Sequence, residues 1–384
     1  MIQQAPNAGV EPHATVGLLR AWLVDQALPL WSTTGWDAKR GGFIERLRPD
    51  GSPETEMPRR VRVQARQIYC FAKAAQSGWF ADAKAVALRA TEYLLAKASG
   101  ADGAPGYVHL LSPDGTVLKA ARDAYDHAFV LLALASVFAI TQDAQIRAEI
   151  DRVVQFMDSA MLSPHGGFAE GVPPTLPRRQ NPQMHLFEAM LALYEATGDL
   201  GFQRRAGDFY GLFVANLFDA RSETLGEYFE EDWARITPVV VEPGHQAEWI
   251  WLLRCFERNT GCPTGKYRAA LLRSALRYRD PDTGCLVDEG DDTGRTVKPT
   301  RRLWPQTEFA KAFLAQAEAS DSDAMEEARR QLARVYDHYL RPYPVAGGWY
   351  EHLDQHGRSI VDFIPASSLY HLVCAISEAA RLLP

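Results

Sequence analysis

The chain has no Cys-x-x-Cys pair, and its five cysteines (Cys70, Cys255, Cys262, Cys285 and Cys374) are odd in number and scattered. Neither a disulfide framework nor a thiolate zinc site is signalled. Positive charge is not in excess: 41 Lys and Arg stand against 48 Asp and Glu, a formal net charge of -7. A mildly acidic surface gives no sequence-independent grip on nucleic acid or on an anionic membrane. Long hydrophobic runs are missing too. The longest predominantly apolar stretch, Ala128 to Ile140, is too short for a bilayer and suits a buried helix. The first residues, MIQQAPNAGVEPHA, lack a basic stretch followed by an apolar one, so no secretory signal is expected. These absences lead us to expect a soluble, cytoplasmic protein, monomer or homodimer, with no metal, cofactor, nucleic acid or membrane partner.

What the sequence does have is repetition. RGGFIERLRPDG (Arg40 to Gly51) returns near the other end as AGGWYEHLDQHG (Ala346 to Gly357). Degenerate copies stand at Gly106 (PGYVHL), Gly167 (HGGFAEG), Gly226 (LGEYFEED) and Gly284 (TGCLVDEG). With Gly42 and Gly348, these markers keep a near-constant period, the signature of a repeat architecture. Charged amphipathic segments such as DAKAVALRATEYLLAKA alternate with segments apolar on most faces, such as HAFVLLALASVFAI. The first kind belongs outside and the second inside. Twelve helices are predicted, over 12–31, 59–77, 80–98, 120–141, 143–160, 181–198, 199–218, 241–261, 263–280, 301–319, 321–340 and 365–383. Six outer-inner pairs predict an all-α (α/α)6 barrel, a single domain over 1–384. An open helical solenoid is the alternative, but its repeats run only about 33 to 47 residues, shorter than the period here. The extra length is the Gly-aromatic-Glu segment, which reads as a short β-hairpin. All six hairpins are then expected on one face, at the N-termini of the inner helices.

Polar residues gather at those same N-termini. Proline is favoured in a first helical turn. Pro182 precedes His185, Pro243 precedes His245, Pro305 precedes Glu308 and Pro365 precedes His371. The other two inner helices bring Arg62, Arg66, Asp126 and His127. Taken singly, each has a plain reading as a cap, a satisfied core residue or a solvated charge. His245 and Glu248, one turn apart, read as a hydrogen-bonded pair or a metal pair, and no HExxH or Cys/His cluster supports the metal. Six-fold convergence on one cavity changes the weighting. A cavity ringed by His, Glu, Arg, Asn and Trp is a poor core and a reasonable active site.

At these residues the sequence resembles the N-acylglucosamine 2-epimerase superfamily. The matching stretches are GGFIERL, RRVRVQARQIYCFA, NPQMHLFEAMLALYEATGD, PGHQAEWIWLL, WPQTEFAKAF and SSLYHLVCAI, in family order from end to end. The resemblance implies a metal-independent sugar isomerase or epimerase on an (α/α)6 barrel. It implies that His245 and His371 are the catalytic pair and that Glu248 stands behind His245. It gives substrate-binding roles to Arg66, Asn181, His185, Trp304 and Glu308. Cellobiose epimerases carry paired tryptophans before that acid, and Leu303 here speaks against a disaccharide substrate. The wording of VRVQAR and PGHQAEW looks most like the mannose isomerase branch, so D-mannose to D-fructose isomerisation of a monosaccharide substrate is expected. The alternatives are a 2-epimerase of N-acylglucosamine, mannose/glucose or cellobiose, a glycoside hydrolase, and a non-catalytic sugar-binding barrel.

Overall fold

The computed structural model describes residues 14–319 and 322–383. Among them, twelve helices alternate between an outer and an inner ring, as the repeat predicts. The outer helices are α1 (Thr15–Trp22, continued by a π turn at Leu23–Ala27 into Leu28–Thr33), α3 (Ala83–Ala98), α5 (Ala144–Ala160), α7 (Leu200–Leu212), α9 (Gly265–Leu276) and α11 (Ser322–Val335). The inner helices are α2 (Val61–Gln76), α4 (Ala124–Thr141), α6 (Gln180–Thr197), α8 (Pro243–Thr260), α10 (Leu303–Glu318) and α12 (Leu369–Leu382). Each inner helix packs on the next, and α12 returns to α2 to close the ring. Residues 12, 13 and 321, included in two of the predicted helices, lie outside the described residues.

The apolar all-round sequence of α4 has its reason here. The helix is long and apolar enough to cross a membrane, but it is mostly buried against α2 and α6. The outer helices bury one stripe and expose the other. In α5, Ile146, Ile150, Val153 and Met157 are buried, at the three-to-four spacing of one helix face.

Several inner helices start later than predicted, and the cause is a second kind of strand pairing. Arg59–Arg60 and Arg301–Arg302, inside the predicted helices, are short strands, as is Arg178–Arg179 just before α6. Each pairs antiparallel with the loop of the following repeat: Arg59–Arg60 with Leu110–Leu111, Arg178–Arg179 with Tyr228–Phe229, and Arg301–Arg302 with His352–Leu353. The ring closes the same way, Arg46 opposite Pro365 and Leu47 opposite Ile364. Hairpins within one repeat also form, as between Leu110–Leu111 and Val117–Lys119. The predicted hairpins are therefore half of the arrangement. A single repeat cannot reveal a partner that stands in the next one.

The loops are fastened to the inner helices by buried amides. Gln64, Gln183, Gln246 and Gln306 each receive a backbone N–H and donate to the carbonyl of the same loop residue, respectively Phe43, Phe168, Leu225 and Leu286. His127 accepts from the Tyr107 N–H in the second repeat. The first and last loops lie side by side, and their aromatics are fully buried. Phe43 stacks on Phe71, and Trp349 packs against Trp22 and Trp31. Gly42 is required beside Phe43. Its φ is +80°, and a Cβ there would meet the Tyr93 ring at 2.6 Å.

Candidate active site

The six-fold register decides which side chains meet. Counting the 3₁₀ turn Ala366–Ser368 as the start of the last helix, the sixth residue of each inner helix is Arg66, Phe129, His185, Glu248, Glu308 or His371. All six are buried at one level around the barrel axis. Above them a cavity of about 330 Å³ opens at the helix N-termini, at the small end of the range for ligand pockets. Arg66, Asn181, His185, His245, Glu248, Trp304 and His371 line it, so seven of the eight residues singled out in the sequence face one space.

The eighth, Glu308, stands behind the wall. His371 Nδ1 lies 2.8 Å from Glu308 Oε1, and Lys311 Nζ lies 2.7 Å from Glu308 Oε2. Glu308 is thus tied to His371 and Lys311 and does not line the cavity in which it was expected to meet substrate. A carboxylate beside an ammonium only accepts hydrogen bonds, so Nδ1 carries the proton and the His371 Nε2 lone pair is free. Glu248, Glu308 and His371 are close enough together to hold a cation. The Lys311 ammonium, fully buried on the face of Trp251 at 3.6 Å, already neutralises that cluster.

A second correction concerns His245. Glu248 does not hold it. His245 Nδ1 instead lies 3.0 Å from Glu227 Oε2, with Glu242 at 3.8 Å. Glu227 was missed because the fourth loop is shifted. Its glycine, Gly226, follows the buried Leu225 instead of preceding it, and the later acid Glu230 is exposed. The signal was there: in the first, third and sixth loops the acid stands two positions after the buried aromatic (Phe43 and Glu45, Phe168 and Glu170, Trp349 and Glu351). Leu225 and Glu227 keep that spacing.

The two histidines are tuned in opposite directions. Burial alone would lower both. At His245 the carboxylates of Glu227 and Glu242 outweigh it and raise the pKa to about 9. At His371 burial is reinforced by Arg66 and Lys311, and the pKa falls well below 6.5. Trp304 lies between them, its ring centroid 4.9 Å from His245 and 5.5 Å from His371. Gly244 makes room for that indole, since a Cβ would stand 2.6 Å from it. Glu248 has neither oxygen hydrogen-bonded among the described residues, and burial with Glu308 nearby drives its pKa well up. Burial thus favours its protonated form, and its oxygens are open to a ligand.

Arg66 is held over Phe129, 4.1 Å from the ring centroid, by Tyr125 Oη at 2.6 Å and the Ser367 carbonyl at 3.3 Å. His185 Nδ1 is 2.9 Å from Glu188. Arg302 also lines the cavity. Its two counterparts at the same strand position are spent: Arg60 pairs with Glu45, and Arg179 with Glu170 at 2.6 Å. The matching acid in the fifth repeat, Asp288, accepts instead from His352, Thr300 and the Arg302 backbone N–H. The Arg302 guanidinium has no hydrogen bond or ion pair among the described residues.

The model of the family described as N-acylglucosamine 2-epimerase (GlcNAc 2-epimerase) matches residues 42–375. A mannose-6-phosphate isomerase of Rhizobium meliloti is 35% identical over 385 residues, covering 96% of this chain and 98% of that protein. A D-mannose isomerase of Marinomonas mediterranea is 25% identical, covering 82% of this chain and 84% of that protein. A crystal structure of a D-mannose isomerase superposes with a TM-score of 0.86 at 23% identity, over 98% of this chain and all of the other.

Proposed function

The chain belongs to the N-acylglucosamine 2-epimerase family, whose relatives here are sugar isomerases and epimerases, and from that premise we propose that it is an aldose–ketose isomerase interconverting D-mannose and D-fructose. The observation that carries this reading is the pair of oppositely tuned histidines facing one cavity. When environments push two titratable groups apart, the acid and the base are assigned.

His371, neutral and with Nε2 free, takes the proton from C2 of the open-chain aldose. The electron pair left behind forms a cis-enediolate. His245, an imidazolium at neutral pH, faces the developing oxyanion with the Arg66 guanidinium and the neutral Glu248 carboxyl group. Fixed donors of this kind are worth far more in a buried site than in water. His245 gives its proton to the C1 oxygen and recovers one from the C2 hydroxyl, while His371 returns the first proton to C1 and the ketose is formed. Trp304 offers the sugar an apolar face, and Asn181 and His185 offer donors to its hydroxyls.

Activity requires His371 neutral and His245 charged. It is lost on the acid side as pH falls through the depressed His371 pKa, and on the alkaline side as pH rises through about 9. Replacing Glu227 by Gln removes the leading charge that holds His245 up. The alkaline limb of kcat/KM is expected to move down by at least about one pH unit, with the acid limb unchanged. An alkaline limb that stays where it is would remove His245 from the acid role.

A second reading, the same reaction on a hexose 6-phosphate, is favoured by the unpaired Arg302 guanidinium on the cavity wall, since arginine binds phosphate bidentately. The R. meliloti relative carries that substrate in its name. One experiment tests both. D-mannose, D-glucose, N-acetylmannosamine, cellobiose and mannose 6-phosphate are each incubated in D2O and the products read by NMR. D-fructose from D-mannose supports the first reading, and glucose from mannose would make the protein a 2-epimerase. Preferential conversion of mannose 6-phosphate, lost at least tenfold in Arg302→Gln while free mannose is spared, selects the second.

A further inference from the structure

The buried polar groups continue past the catalytic level. A second cavity, of about 150 Å³, opens at the opposite end of the barrel among the C-terminal halves of α2, α4, α6, α8 and α12. Lys73, Glu195, Arg258 and Glu378 contribute its charged groups. Trp251 and Ser377 also line it, and their Nε1 and Oγ are buried without a hydrogen-bond partner among the described residues. Water entering this cavity would satisfy both, since a buried water typically bridges two to four polar groups.

Glu188 lines the far cavity and reaches the substrate cavity only through His185. One of its oxygens accepts from Tyr370 Oη and the other lies 2.9 Å from His185 Nδ1. His185 lines the substrate cavity, and its Nε2 is 4.0 Å from Glu248 Oε1. Glu248, Glu308 and His371 in turn have ligating atoms within 4.8 Å of one another. A series of ionisable groups therefore runs from the far cavity to the catalytic base, with gaps that a single water spans. Packing does not require it: apolar residues of similar volume are as stable as buried ionic clusters, or more so.

We propose that this series is a second proton route, through which His185 and Glu188 exchange the proton held by His371 with solvent at the far end of the barrel while a sugar fills the near cavity. The inference rests on the isomerase reading. The C2–H bond breaks, its proton goes to His371 Nε2 and its electron pair to the enediolate. His371 then has two options. It returns that proton to C1, or it passes it to Glu248, which gives its own proton to His185, Glu188 and water. In the second case a solvent proton travels back along the same groups and reaches C1. Each exchange moves one proton out and one in, with no change in net charge.

The test follows the fate of deuterium in [2-²H]mannose converted in H2O, read by NMR as label retained at C1 of the product. The wild type is compared with Ala192→Leu, which fills the far cavity without touching the catalytic groups, and with Glu188→Gln, which cuts the series. The wild type is expected to wash out most of the label. Retention should rise at least threefold in both variants, with kcat of Ala192→Leu within twofold of wild type. Equal wash-out in all three proteins, or complete retention by the wild type, overturns the route and leaves the isomerase reading standing. Absence of any sugar conversion by the wild type overturns both together.

Discussion

Replacing His371 by Asn lowers kcat by about 10²- to 10⁴-fold, the range for loss of a general base, with KM changed by less than about threefold. The expectation follows from where the residue stands. His371 packs edge-on against Tyr370 and beside Trp304, and its Nδ1 is tied to Glu308. Asn keeps a polar group near Glu308 while removing the basic nitrogen. The change therefore bears on the chemical step more than on the fold. The comparison that isolates it is His185→Asn. That imidazole is also buried and also paired with a carboxylate, yet it is assigned to binding, and its loss should raise KM more than it lowers kcat. A His371→Asn protein turning over within tenfold of wild type would move the base elsewhere.

Most of the barrel could be read from the chain, because a repeated unit shows six times what one helix shows once. The near-invariant Gly-aromatic pairs at Gly42 and Gly348 set the period, and the apolar all-round helices marked the inner ring. Seven site residues could be placed for the same reason: Arg66, His185, Glu248 and His371 share one register, and Asn181, His245 and Trp304 fall within the same turns. What escaped depended on relations between elements. His245 meets Glu227 on a loop, His371 meets Glu308 on the neighbouring inner helix, and the strand partner of Arg302 is His352 in the next repeat. Spacing within a helix suggested Glu248 as the partner of His245, since they are one turn apart. The structure turns the imidazole toward the loop instead, and Glu248 toward His185 and Glu308. Local periodicity finds the face on which a residue lies. It does not say which of several acids on neighbouring elements its side chain will meet.

Lys311→Met is expected to have the largest effect on stability. Lys311 is fully buried, held protonated by Glu308 chiefly, with Glu188 adding to it, against the opposing effect of burial. It is the only ammonium or guanidinium within an ion-pair distance of Glu308 among the described residues. Met fills similar volume and keeps contact with Trp251, so the change tests charge more than packing. Removing one partner of a buried pair costs about 3 to 5 kcal/mol, because the other is left charged in a low-dielectric surrounding. Glu308 has a partial escape. Burial already raises its pKa and Lys311 is the main opposing influence, so without the ammonium it takes up a proton more readily. A carboxyl group with a raised folded pKa destabilises the fold as pH rises from its unfolded value through its folded one, and is harmless below both. The stability gap between wild type and variant should therefore be wider at pH 8 than at pH 5 in urea denaturation. A neutral Glu308 would also stop enforcing the Nδ1–H tautomer of His371, so activity at pH 7 should fall even in the folded fraction. A gap below about 1 kcal/mol at both pH values, well under the cost of an orphaned buried charge, would mean that the buried acids do not depend on this ammonium, and the tautomer argument for His371 would go with it.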